Sequence, residues 1–191
     1  MGVFLGGLLL TFSSAWGGEV MMEVNKNIDK VISILTDPQY NGPEKKSERK
    51  LLTRQVADDL FNWEEMARRT LGAHWRKINS DEKKEFVNLF TDLLERNYLG
   101  KIEQYSGEKI IYESEMISGK YALVKTKVLT LTDTEIPLNY RLLRKNDRWK
   151  VYDIVIEGVS LVNNYRSQFN SIIRRSSFKD LLDKIQTKPT G

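Results

Sequence analysis

Along residues 20–35, Val20, Val24, Ile28, Val31, Ile32 and Leu35 recur at three- and four-residue steps, which predicts a helix with one buried stripe. Asp37-Pro38 ends it and Asn41-Gly42-Pro43 makes a turn. A charged helix follows over residues 44–60. Asn62 caps the next helix, Glu64 and Glu65 complement its dipole, and Gly72 stands at its C-terminal cap. Asn79 opens the longest helix, with Glu82 as its capping-box partner. Phe86, Phe90, Leu93, Leu94, Tyr98, Ile102 and Tyr105 give that helix a broad aromatic face opposite Lys84, Asn88, Asp92 and Glu95.

After Ser106-Gly107 the period changes from helical to alternating. Residues 109–117, 120–131, 135–145 and 148–157 are rich in β-branched and aromatic side chains. Short turns at Ser118-Gly119, Asp133-Thr134 and Asn146-Asp147 separate them, which predicts an antiparallel meander. In the third strand Ile136, Leu138, Tyr140 and Leu142 make one apolar face. In the fourth, strict alternation puts Trp149, Val151 and Val155 on one face and Tyr152, Ile154 and Ile156 on the other, so both sides are covered. Gly158 breaks that strand. Ser160 then opens a helix carrying Leu161, Val162, Tyr165, Phe169, Ile172 and Ile173, and Ser177 with Asp180 caps a last short one. The expected class is α+β: a bent antiparallel sheet of about four strands wrapped by N- and C-terminal helices.

Residues 1–18 carry no charged side chain, and the apolar run from Val3 to Phe12 is too short to span a bilayer. It suits a signal peptide over residues 1–18 with cleavage near 15–18, leaving one domain over residues 19–191. Ser13 and Ala15, or Ala15 and Gly17, fit the −3 and −1 positions.

Composition then narrows the chemistry. There is no cysteine and one histidine, His74, which removes thiol nucleophiles and leaves no material for a histidine metal centre, so no metal and no cofactor are expected. The 30 Lys and Arg exceed the 26 Asp and Glu by only four and are interleaved with them, so nucleic acid is not an expected partner. Sequence motifs for a nucleophile elbow, a phosphate loop, a dinucleotide site or a zinc helix do not occur. Asp153 and Glu157 would lie roughly 13 Å apart on one strand face, beyond the separation of paired glycosidase carboxylates. No catalytic residue is assigned and the protein is not expected to be an enzyme. The competing reading is a ketosteroid-isomerase-like catalyst of cone-shaped α+β fold, with Asp153 as its base.

Two stretches carry a family resemblance. MARRTLGAHWR, followed by the capped aromatic helix up to Tyr105, and WKVYDIVIEGVS, followed by YRSQFNSIIRR, occur in that order. Together they resemble the MlaC-type periplasmic phospholipid-binding proteins, the toluene-tolerance family, over about residues 50–188. Ser177 departs from that family's usual glycine, and the leader lacks a basic start. The resemblance implies a bent sheet packed with helices around an apolar pocket for acyl chains. It also implies a soluble periplasmic carrier that shuttles glycerophospholipid and so maintains outer-membrane lipid asymmetry. The implied partners are phospholipid, an outer-membrane lipoprotein complex and an inner-membrane ABC transporter complex with an MCE-domain protein. On that fold, the expected lipid-lining side chains are Phe86, Phe90, Leu93, Leu94 and Tyr98 on the long helix. From the strands come Val124, Leu138, Tyr140, Val151, Tyr152, Ile154 and Ile156, and from the C-terminal helix Val162, Tyr165 and Phe169.

Overall fold

The structure is a computed structural model that describes residues 18–187. The signal peptide expected over residues 1–18 therefore lies outside the described residues, save for Gly18. Helix α1 (Glu19–Thr36) and helix α2 (Lys46–Leu60) are joined by two short 3-10 turns. Helix α3 (Trp63–Leu71), a 3-10 turn at Gly72–Arg76 and helix α4 (Ser80–Ile102) follow. Strands β1 (Lys109–Ser118), β2 (Tyr121–Leu129), β3 (Glu135–Lys145), β4 (Arg148–Ile156) and β5 (Val159–Ser160) come next, then helices α5 (Leu161–Arg175) and α6 (Phe178–Thr187).

The local signals act as their chemistry dictates. The Asn62 side chain accepts from the Glu65 N–H, and the Ser160 hydroxyl accepts from the Asn163 N–H. Asn79 and Glu82 close a reciprocal capping box, with the Asn79 N–H donating to Glu82 and the Glu82 N–H to Asn79. We expect Asn79→Ala to lower stability by about 1 kcal/mol, read as a shifted urea midpoint with an unchanged slope. Gly72 ends α3 at φ +56°, where an added Cβ would also meet the Arg166 guanidinium of α5 at 3.1 Å. Asn146 and Asp147 both have positive φ, the backbone that a two-residue hairpin turn requires.

All five strands pair antiparallel in chain order. The sheet has one strand more than expected. Glu157 and Gly158 both adopt positive φ and fold the chain back, so that Val159 pairs with Ile156 along the β4 edge. Further along the same edge Phe61 bridges to Val151, and the Asn62 N–H donates to the Val151 carbonyl, so both ends of the β4 edge are paired. Glu157, in its turn, does not share a strand face with Asp153 as alternation had it.

A bulge corrects a second expectation. Arg141 pairs with Asp153 but Leu142 pairs with Val151, which leaves Tyr152 as the extra residue. Trp149 and Val151 therefore share a face with Ile154 and Ile156, while Asp153 and Val155 face the other way. A second register shift makes Glu113 the extra residue of β1. Each bulge bends its strand and raises the local twist, which curves the sheet.

Two apolar cores lie against this sheet. On its inner face Ala122, Val124, Tyr140, Leu142, Trp149 and Val151 pack with Val20 and Val24 of α1 and Leu60 of α2. The Glu115 carboxylate accepts from the Met21 N–H at 2.7 Å and so holds the positive end of α1 on that face. The second core is the helical layer of α3, α4, α5 and α6. Phe90 meets Tyr165 and Phe169 edge-on, with ring centroids 5.5 and 5.9 Å away.

Glu65 accepts from Arg68 and Arg69, and the Arg69 guanidinium lies 4.0 Å over the Tyr152 ring, tying α3 to the bulge. Burial works to raise the Glu65 carboxyl, but the two arginines outweigh it and hold it below its usual range. A depressed folded value means that this carboxylate stabilises the fold above its unfolded pKa and stops doing so as pH falls through the folded one. Glu65→Gln should accordingly lower the melting temperature at neutral pH, with the gap from the parent closing on acidification below the carboxylate range.

Candidate functional site

The inner sheet face changes character along its length. At the end bearing the β1–β2 and β3–β4 hairpins it is closed by Val20, Val24 and Leu60. At the opposite end, where the β2–β3 turn lies, Ile110, Val128, Ile136, Leu138, Ile154 and Ile156 are only half-buried. They share one face by register, since Ile110 pairs with Val128, Val128 with Ile136, and Leu138 with Ile156.

The helices over this end show the same incomplete burial. The α1 stripe is buried at Val20 and Val24, yet Val31, Ile32 and Leu35 on its second half are half-buried, as are Leu52 and Val56 of α2. Ile28, midway along α1, packs at the margin of the inner-face core, as do Tyr112, Leu138 and Ile154. Ile102 at the end of α4, Leu131 in the β2–β3 turn and Val159 in β5 are exposed around it. Together these half-buried apolar side chains, outside the buried residues of both cores and with Leu138 and Ile154 packing at the margin of the inner-face one, make up an apolar seam.

The expected lipid-lining residues fall into separate groups. Phe86, Phe90, Leu93, Leu94, Val162, Tyr165 and Phe169 lie together in the helical core, with Tyr98 half-buried against it. Val124, Tyr140 and Val151 belong to the inner-face core, and Leu138 and Ile154 pack half-buried at its margin. Ile156 lies half-buried beyond them on the same face. Tyr152 is on the other side of the sheet, edge-on to Tyr121 at 6.0 Å and under Arg69. The structure thus brings Leu138, Ile154 and Ile156 together on the seam, next to Tyr140. Val31, Ile32, Leu35, Leu52 and Val56 are half-buried on α1 and α2 as well, and the sequence reading did not single them out as lining. Their signal was the helical stripe itself, which looks the same whether it faces core or cleft.

Polar groups inside this region are sparse and strongly desolvated. Burial pushes the Tyr140 hydroxyl well above the usual tyrosine range, with Tyr112 adding to it. Burial, and then Asp29, does the same to Tyr112, whose buried hydroxyl finds no hydrogen-bond partner among the described residues. In the separate helical core, Tyr98 is pushed up to about 12 by burial and by Tyr165. Phenols this hard to ionise stay neutral, so the walls carry no charge from them at any ordinary pH.

Charge lines the outside instead. Lys50 of α2 pairs with Glu95 of α4 at 3.0 Å, and Arg54 bridges to Asp58, Asp92 and Glu95. Nearer the ends of these helices, Lys46 and Arg49 each approach Glu103 to only 4.0 Å.

Asp153 is committed elsewhere. Its buried carboxylate accepts from the Val162 N–H at 3.0 Å, the Ser160 hydroxyl at 2.7 Å and the Arg141 guanidinium at 3.1 Å. That arrangement fastens the start of α5 to β3 and β4 and directs no free carboxylate at the seam. Two open depressions lie on the surface of the described residues. One runs along α1 beside Lys26, Asp29 and Lys30; the other lies between Glu64, Arg68, Lys120 and Lys145. Neither is lined by the residues expected to hold the acyl chains.

Comparison with known proteins places this architecture. The fold is similar to that of a phospholipid-binding protein from Ralstonia solanacearum, solved in complex with a phospholipid. The TM-score is 0.78, at 22% identity, covering 88% of this chain and 96% of that one. Over 161 residues the chain is 26% identical to the intermembrane phospholipid transport system binding protein MlaC of Haemophilus influenzae, covering 80% of this chain and 75% of that protein. The family model for the MlaC protein matches residues 25–187, which takes in the whole sheet, the helical core and all of the inner-face core except Val20 and Val24. This chain belongs to the MlaC family.

Proposed function

We propose that this protein is a periplasmic carrier that sheathes the acyl chains of a glycerophospholipid between its inner sheet face and helices α1, α2 and α4. It receives and delivers that lipid between an outer-membrane lipoprotein complex and an inner-membrane ABC transporter complex with an MCE-domain protein, and so maintains outer-membrane lipid asymmetry. The observation that carries this reading is the incomplete burial of an apolar set: Leu138, Ile154 and Ile156 on one sheet face, and Val31, Ile32, Leu35 and Val56 along α1 and α2, are all only half-buried. Membership of the MlaC family supports it, as do the names of the Haemophilus and Ralstonia relatives. Export is supported by the apolar leader at residues 1–18. Among the described residues no helix is long and apolar enough to cross a membrane.

The physical demand on such a carrier is large and simple. Two acyl chains hold about 30 methylenes, and at ~0.8 kcal/mol each their exposure to water would cost on the order of 25 kcal/mol. The carrier must cover nearly all of that surface. Because the tails pass from one apolar phase to another, the net binding free energy stays small and transfer stays reversible. Walls of apolar side chains and neutral phenols meet this demand, and the work calls for no nucleophile and no proton transfer.

Native mass spectrometry of gently purified protein tests the proposal. The expected result is a mass increment of one or more phospholipids that organic extraction removes. Protein that is empty under these conditions, yet turns over a small carbonyl substrate, would establish the isomerase reading instead.

A further inference from the structure

Resting on the export part of that reading, we infer that the leader is cut between Gly17 and Gly18, and that the amino group so released pairs with the Glu115 carboxylate. Processing thereby fastens α1 to the sheet through the chain's own new terminus.

Glu115 already stands in for a missing capping side chain. Gly18 is the N-cap of α1, at φ −64° and ψ 171°, and makes no side-chain cap bond. An N-cap side chain ordinarily accepts from the second or third N–H of its helix. Here the third, the Met21 N–H, donates instead to Glu115 Oε2 at 2.7 Å, across 94 positions of chain. The Met22 N–H donates to the Gly18 carbonyl at 3.0 Å and closes the same turn.

The other carboxylate oxygen sits over Gly18. A Cβ built on Gly18 would fall inside the Glu115 carboxylate, with Oε1 its nearest atom. The backbone angles of Gly18 are open to any residue, so glycine serves here for close approach and not for conformation. Its nitrogen stands about 1.5 Å from its α-carbon. A charge on that nitrogen therefore lies beside Oε1, the oxygen that Met21 does not use.

This geometry suits one of two cuts that the leader allows. Ser13 with Ala15 would release Trp16, and Ala15 with Gly17 would release Gly18. Either cut puts an ammonium ahead of the positive end of α1, which by itself weakens the helix. Only the second brings that ammonium to a carboxylate. The first leaves it two residues upstream, at the end of up to about 7 Å of chain. The cut itself is a hydrolysis by a leader peptidase. Water's oxygen joins the Gly17 carbonyl carbon, both its protons go to the Gly18 nitrogen, and the products are a carboxylate and an ammonium. In the uncut chain that nitrogen is an uncharged amide and makes no ion pair. Val20 and Val24, in the first turns of α1, pack in the inner-face core, so the new pair holds one wall of that core in place.

Two measurements test this. In the first, the full chain with its leader is expressed in a Gram-negative host, and the periplasmic protein is read by intact mass and N-terminal sequencing. The expected product starts at Gly18. A product that starts at Trp16 or any other internal residue overturns the assigned cut and leaves export intact. A product that retains Met1 overturns the export reading as well. In the second, lipid-stripped protein beginning at Gly18 is compared with the same protein acetylated only at its α-amine by an N-terminal acetyltransferase. Both are prepared as wild type and as Glu115→Gln, whose amide oxygen still accepts from Met21. Acetylation should lower the wild-type melting temperature by about 2–4 °C. It should leave Glu115→Gln unchanged or raise it, because there the ammonium faces the helix end with no counter-charge. A wild-type fall under about 1 °C, or one more than half of which persists in Glu115→Gln, overturns the pairing.

Discussion

Ile154→Asp is expected to give a folded protein that emerges from gentle purification without phospholipid, its lipid load down by about a hundredfold or more. Ile154 lies half-buried on the inner sheet face opposite Tyr140, at the margin of the inner-face core rather than within it. A carboxylate there can stay hydrated in the lipid-free protein, so the fold loses only the packing of one aliphatic side chain. In the loaded protein the same carboxylate would be pressed against methylenes, and the desolvation of an unpaired charge costs several kcal/mol. Each 1.4 kcal/mol is a tenfold change in affinity, which sets the size of the effect. The position matters. Tyr140→Asp would put the charge at a buried site in the core and is expected to unfold the protein, which makes it a poor probe of binding. Met116→Asp, exposed near the opposite end of β1, serves as the control for added charge and should keep its lipid. Folded Ile154→Asp protein that still carries phospholipid would remove the seam from consideration as the binding site.

Asp153→Ala should cost about 3–5 kcal/mol of stability and lower the melting temperature by about 10 °C or more. The carboxylate is buried and accepts hydrogen bonds from a helix-start N–H, a hydroxyl and a guanidinium. Its removal strands the Val162 N–H and the Ser160 hydroxyl at the junction of β3, β4 and α5, while the exposed Arg141 guanidinium turns to water. Asn at this position keeps an acceptor for Val162 but sets an amide against Arg141, so an intermediate loss is expected. Thermal unfolding followed by circular dichroism reads the difference directly. An unchanged melting temperature would contradict the structural assignment of Asp153. If turnover of a small molecule were lost at the same time, the residue would instead be the base of an enzyme.

Much of the architecture was legible in the order of residues because its causes are local. Helix starts at Asn62, Asn79, Ser160 and Ser177 follow from side chains that bond the next few backbone N–H groups, and all four do so. The hairpin at Asn146-Asp147 follows from residues that tolerate positive φ. Sheet order followed from tight turns, which leave neighbouring strands no other partners. The fifth strand was less visible, since two residues carry no periodicity, and the register of β4 was misread for a similar reason. A bulge at Tyr152 leaves no mark in a pattern where residues on both faces are apolar, and it is decided by pairing with β3.

The candidate site divides along the same line. That this chain supplies more apolar face than a simple two-layer core needs is written in Phe86, Leu138, Ile154, Tyr165 and their neighbours, whose hydrophobicity is a property of each side chain alone. Which of these faces closes into solid core, and which remains a seam, is not a property of any residue. Val24 and Val31 belong to one helical stripe of one chemistry, yet the first is buried on the sheet and the second is half-buried where the layers part. The meeting of Arg49 with Glu103, 54 positions apart in the chain, likewise exists only once α2 and α4 lie side by side. Side-chain chemistry settled what this protein can bury, and the curvature of its sheet and the spacing of its helices decided where a foreign hydrocarbon can take that place.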